Sequence, residues 1–123
     1  MDYPGPERRR YKRIYQPFSV RFRLKVGFGL PWNLALIRDL SRGGIRFQHD
    51  VEMPIGSNLV LKLQVGLGEA PINCQGKILR CRMLHQSRIY EVGIEFDSLE
   101  AKDQELIDRV VEKFELQKLK REE

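Results

Sequence analysis

The chain has 123 residues, 41% of them hydrophobic and 32% charged, enough for one core under a large wet surface and too few for a second domain. Two cysteines are too few for a disulfide framework, the first ten residues hold no signal-peptide-like apolar stretch, and no run approaches the roughly 20 apolar residues of a membrane span. A soluble cytoplasmic protein without membrane insertion is therefore expected. Its net charge of +5 is uneven: residues 1–46 hold 11 Lys or Arg against three Asp or Glu, whereas residues 97–123 hold six against nine. A cationic field at one end suits an anionic partner.

In chain order, residues 1–17 read as a flexible arginine-rich arm, with Pro4, Gly5 and Pro6 and little to bury. The folded body is expected over residues 18–123. Phe18, Val20, Phe22, Leu24 and Val26 alternate with polar residues as in a half-buried strand. A second strand is expected over Leu34 to Asp39, and a third opens at Gly43-Gly44 and runs through Ile45 and Phe47. Leu59, Leu61, Leu63 and Val65 keep period two. Ile72–Leu84 is long for one strand and predicts a bulge near Gly76, and Tyr90–Phe96 alternates cleanly. The period then becomes helical through Leu99, Leu106, Ile107, Val110, Val111 and Phe114, predicting a helix over 98–119 with Asp97 as N-cap and Glu100 three residues later. Six short antiparallel strands and one amphipathic helix suggest a small barrel, or a strongly curled sheet, plugged at one end by the helix.

Two segments stand out chemically. Arg8-Arg9-Arg10-Tyr11-Lys12-Arg13 packs five cations into six residues, a density no core can use. By itself it reads as a solvated patch or nonspecific nucleic-acid tail, or as a set of guanidinium forks for phosphate and the guanine O6/N7 edge. Asp39-Leu40-Ser41-Arg42-Gly43-Gly44 reads by itself as an ordinary hairpin turn whose glycines supply positive φ. Lys12 and Arg42 read as electrostatic support. Trp32 is expected in the core, with an exposed stacking platform as the alternative. The gap between Cys74 and Cys81 matches no common zinc spacing, and no Ser/His/Asp, HExxH or phosphate-loop pattern occurs. Neither an enzyme nor a metal site is expected.

Together the two segments resemble the PilZ family, in which RxxxR, here Arg9 to Arg13, is followed by D/NxSxxG, here Asp39, Ser41 and Gly44. The resemblance extends through VGIEF at Val92–Phe96 and the closing helix. It implies a mainly β fold, a six-stranded antiparallel barrel with a C-terminal α-helix, carrying a surface site for the bacterial second messenger cyclic di-GMP. The implied ligand set is Arg8, Arg9, Arg10, Arg13, Asp39, Ser41, Gly43 and Gly44. In that family an arginine just before RxxxR goes with two stacked ligand molecules per chain, and Arg8 holds that position. The expected function is a receptor whose arm orders on binding and which signals to a downstream partner protein of unknown identity. The alternative is an adaptor that engages a protein or RNA through its basic face without nucleotide; the intact motifs favour the receptor over a nucleic-acid binder.

Overall fold

The computed structural model describes residues 18–26, 30–66 and 68–122. Its elements are β1 (Ser19–Leu24), β2 (Asn33–Ser41), β3 (Gly44–His49), β4 (Asn58–Gln64), β5 (Ile72–Met83), β6 (Tyr90–Phe96) and α1 (Ala101–Glu122). The strands form a closed barrel in the order β1, β2, β3, β6, β5, β4, and every neighbouring pair is antiparallel. Closure follows because β1 is hydrogen-bonded on both sides, Val20 facing Ala35 on β2 and Leu63 on β4. No sheet edge is left among the six strands.

Period-two alternation decides which residues are inside. Val20, Phe22, Phe47, Leu59, Leu61, Leu63, Ile78 and Val92 are fully buried. Phe22 and Phe47 stack with ring centres 4.9 Å apart. A six-stranded barrel is narrow enough for such side chains to fill it.

Two bulges reset the alternation. On β5 the pairing passes from Ile78 opposite Ile94 to Arg80 opposite Gly93, so the extra residue is Leu79 and the bulge lies beyond the expected Gly76. Gly76 answers to packing instead, since a Cβ there would lie 2.6 Å from Ile94 Cγ2 and 2.9 Å from the Glu95 carbonyl oxygen. After the bulge the inward positions change parity, which is why Cys74 and Cys81, seven residues apart, both pack against the core. Burial pushes the Cys74 thiol up to about 12, with Asp103 and Asp97 adding to the effect. The Cys81 sulfur accepts from the Met53 N–H at 3.3 Å.

The alternation of β1 outruns its burial: Leu24 and Val26 are exposed, because Phe22 is the last inward residue that the barrel covers. The helix also begins later than expected. Asp97 N–H is still tied to the Gln75 carbonyl at 2.9 Å, extending the β5–β6 pairing, and the Glu100 carbonyl, not Asp97, accepts the first helical hydrogen bond from Gln104 N–H at 3.0 Å. From there α1 crosses the barrel end that holds the start of β1, the end of β2 and the start of β5. Ile107 is fully buried, Leu106, Val110 and Val111 pack beside the core, and Phe114 meets Phe18 with ring centres 6.0 Å apart. No helix among the described residues is long and apolar enough to cross a membrane.

Ile107 gives the test of this lid. Ile107→Ala is expected to destabilise the chain by about 2–5 kcal/mol, the usual cost of emptying a buried aliphatic site, and truncation after Phe96 by more. Urea unfolding followed by circular dichroism measures both, and a midpoint unchanged by either would mean that α1 is no part of the core.

Candidate ligand-binding site

The turn singled out in the sequence joins β2 to β3, with Ser41 opposite Gly44, Leu40 opposite Ile45 and Asp39 opposite Arg46. The second bulge lies just before it. Pairing passes from Ile37 opposite Phe47 to Asp39 opposite Arg46, so Arg38 is the extra residue. Ala35 and Ile37 point inward, and strict alternation would send Asp39 inward as well. The bulge instead returns Leu40 to the core and leaves Arg38 and Asp39 both exposed. A carboxylate that would have been buried is thereby presented on the outer surface.

Asp39 is not idle there. Its carboxylate pairs with Arg46, which also binds Glu91 at 3.2 Å. Glu91, nearly buried, accepts from Arg82 on β5 at 3.1 Å. A ladder of alternating charge thus runs across β2, β3, β6 and β5, with Asp39 directly opposite Arg46, Arg82 directly opposite Glu91, and Arg46 reaching Glu91 diagonally. The Ser41 hydroxyl accepts from the Gly43 N–H at 3.2 Å, which fixes the tip of the turn.

Neither glycine of the turn has a positive φ, so they are not there for the left-handed conformation expected of a hairpin. Gly44 is required by space: a Cβ would overlap the Ile94 carbonyl oxygen and come within 3.2 Å of Glu95 Cα. The Gly43 carbonyl accepts from the Phe96 N–H at 2.9 Å, and a Cβ on Gly43 would meet only Ser41 Oγ, at 3.8 Å. The turn is therefore seated on β6 through Gly44.

Arg42 does more than lend electrostatic support. Its guanidinium reaches α1 in a two-pronged pair with Asp108, Nε donating to Oδ1 at 3.2 Å and Nη2 to Oδ2. Hydrogen bonding to Arg42 holds the Asp108 carboxyl below the usual carboxylate range, so the pair persists at neutral pH and is lost only as pH falls through that lowered value. Sequence reasoning misses Arg46, although its partnership with Asp39 follows from counting outward from a two-residue turn. Asp108 carries no such local signal.

Arg8, Arg9, Arg10 and Arg13 lie outside the described residues. Where their segment enters the barrel is defined: the Phe18 carbonyl accepts from the Ile37 N–H at 2.9 Å, two residues from Asp39. Arg13 is five residues before Phe18, a span of at most about 18 Å. Among the described residues no group of three or more His, Cys, Asp or Glu could hold a metal ion.

Trp32 lies neither in the core nor open to solvent. It is half-buried on the outside, with the Arg23 guanidinium 4.3 Å and the Lys62 ammonium 4.9 Å from its ring centre.

The PilZ domain family model matches residues 7–113. No curated protein matches the chain in sequence. Among solved structures it is similar to the Bacillus subtilis inhibitor of motility MotI/DgrA, with a TM-score of 0.67 and 19% identity over 90% of this chain and 52% of that one. It is likewise similar to K. pneumonia MrkH in its apo state, with a TM-score of 0.72 and 19% identity over 95% of this chain and 53% of that one. The chain thus spans about half the length of these relatives, and at such identities the likeness is one of fold.

Substitutions in the turn test its seating. Gly44→Ala is expected to destabilise the chain by about 1–3 kcal/mol or more through overpacking, and Gly43→Ala far less, both read as shifts in urea midpoint. Equal midpoints for the two variants would remove the steric account of Gly44.

Proposed function

This chain belongs to the PilZ domain family, and from that premise we propose that it is a receptor for cyclic di-GMP which passes its signal to a partner protein. The observation that supports this reading is the hydrogen bond from the Ile37 N–H to the Phe18 carbonyl, which brings the start of β1 to the strand that leads into the turn bearing Asp39 and Ser41. The family match begins at residue 7 and so takes in Arg8 to Arg13.

The chemistry of the residues suits the ligand. Two phosphates ask for guanidinium forks, and two guanines offer O6/N7 acceptors to arginine and N–H donors to a carboxylate. Arg8, Arg9, Arg10 and Arg13 take the first roles and Asp39 the last. Asp39 must leave Arg46 to meet a guanine, and Arg46 loses little by this because Glu91 still holds it. Ser41 adds a neutral hydrogen bond. Gly43 and Gly44 keep the turn low against β6, so that ligand can approach its backbone. With Arg8 before the RxxxR pair, two stacked molecules per chain are proposed. Such a receptor needs no catalytic group or metal, and it works in the cytoplasm, where the messenger is made.

The switch lies in the arm. Five like charges in six residues repel one another, and ligand phosphates cancel that repulsion and supply bidentate acceptors. These contacts offset an ordering cost of roughly 1–2 kcal/mol per backbone residue. Arg42 connects the same turn to α1 through Asp108, giving the helix a direct view of the occupied site.

Arg13→Ala and Asp39→Ala are each expected to weaken cyclic di-GMP binding at least tenfold, roughly 1.4 kcal/mol, with the melt preserved. Calorimetry gives the affinity and the count of molecules bound, and cyclic di-AMP serves as the control. Wild-type affinity in both variants, or equal binding of the two nucleotides, would count against the site.

Amide hydrogen exchange tests the switch. Residues 8–14 are expected to gain protection when cyclic di-GMP is added, and equal strong protection in both states would mean a preformed site.

A further inference from the structure

Outside the turn, the barrel's outer surface holds one arrangement that folding alone does not account for. Register places Arg21 of β1 directly opposite Leu34 of β2 on one side and Lys62 of β4 on the other. These three side chains form one outward row, since their neighbours Val20, Phe22, Leu61 and Leu63 all point inward. Two cations directly opposed across a strand pair destabilise the pairing. Among the described residues neither is paired with a carboxylate, and Lys62 lies instead over the Trp32 ring. Leu34 in the row and Leu36 beside it are 61% and 67% exposed, on a strand whose Ala35 is buried and whose Ile37 packs against the core. Cationic repulsion and bare leucines on one face are both relieved by a partner that brings carboxylates and apolar side chains together.

We propose that the outer face of β1, β2 and β4, built from Arg21, Trp32, Leu34, Leu36 and Lys62, docks an acidic amphipathic helix of a partner protein. The spacing fits. Leu34 and Leu36 stand about 6.7 Å apart along the strand, close to the 5–6 Å between residues i and i+4 on a helix. Carboxylates flanking such a pair fall over Arg21 and Lys62. A nucleic acid is a poorer occupant: Arg23 and Lys62 already cover Trp32, which denies it to a stacking base, and Leu34 and Leu36 would be set against phosphates. A lipid surface is poorer too, because the cations stand in the same row as Leu34 and not on a polar face separate from an apolar one. This docking face is distinct from the turn Asp39 to Gly44 and does not depend on nucleotide.

Trp32 is the single tryptophan of the chain, so its fluorescence reports on this face alone. The probe is a synthetic helical peptide with leucines at i and i+4 bordered by glutamates, added to the full chain, with anisotropy of a labelled copy as a second readout. Saturable binding that shifts Trp32 emission, weakens with salt and falls at least tenfold in Lys62→Glu and in Leu36→Ser is expected. Both positions are exposed, and melts matching the wild type tie the losses to docking. No emission shift, or wild-type affinity in both variants, would overturn the proposal. So would equally tight binding of single-stranded oligonucleotide or phosphatidylglycerol vesicles with the same dependence on Leu36.

Discussion

A methyl group on Gly44 would collide with the backbone carbonyl of Ile94, and a carbonyl in a paired strand has nowhere to go. The close approach of β3 to β6 at that point sets the height of the whole β2–β3 turn. Gly43 can then accept from Phe96, Ser41 can close the tip, and Asp39 comes level with Arg46. The glycine of the signature turn is thus demanded by the barrel before any ligand is considered. A motif glycine can be a packing residue that holds its neighbours in place.

Two bulges convert a regular barrel into one with a usable exterior. Strict alternation would bury Asp39, at the heavy cost of desolvating a carboxylate; the extra residue at Arg38 moves it outside while returning Leu40 to the core. The extra residue at Leu79 performs the same exchange on β5 and keeps Cys81 facing in. In each case one unpaired position changes which chemistry the surface carries. The interior is filled by Phe22, Phe47 and the leucines of β4.

The charges fall into connected and unconnected sets. Asp39, Arg46, Glu91 and Arg82 form a ladder, and Arg42 joins Asp108 across to α1. Because Arg46 is shared between two carboxylates, Asp39 can change partner without stranding an arginine. Because Arg42 belongs to the turn and Asp108 to the helix, their pair ties the turn to α1. Arg21 and Lys62 stand outside this network, on the face that carries Leu34 and Leu36.

The sequence alone determined the elements whose signal is local. Period two marks β1 through Phe22, β4 and β6, since alternate side chains must choose between core and water; helical spacing marks Leu106, Ile107 and Val110; and the order of RxxxR, DxSxxG and the closing helix marks the PilZ domain. Where the local signal is weaker, the structure departs from it. The helix starts at Ala101 because Asp97 is still held by Gln75 of another strand, and the β5 bulge sits at Leu79, not Gly76. Tertiary structure decided the rest: that Asp39 faces out, that Gly44 answers to Ile94, that Arg42 binds Asp108, and that Trp32 meets two cations. Each of these depends on which residue of a distant segment comes within a few ångströms, and that is set only when the barrel closes and brings those segments together.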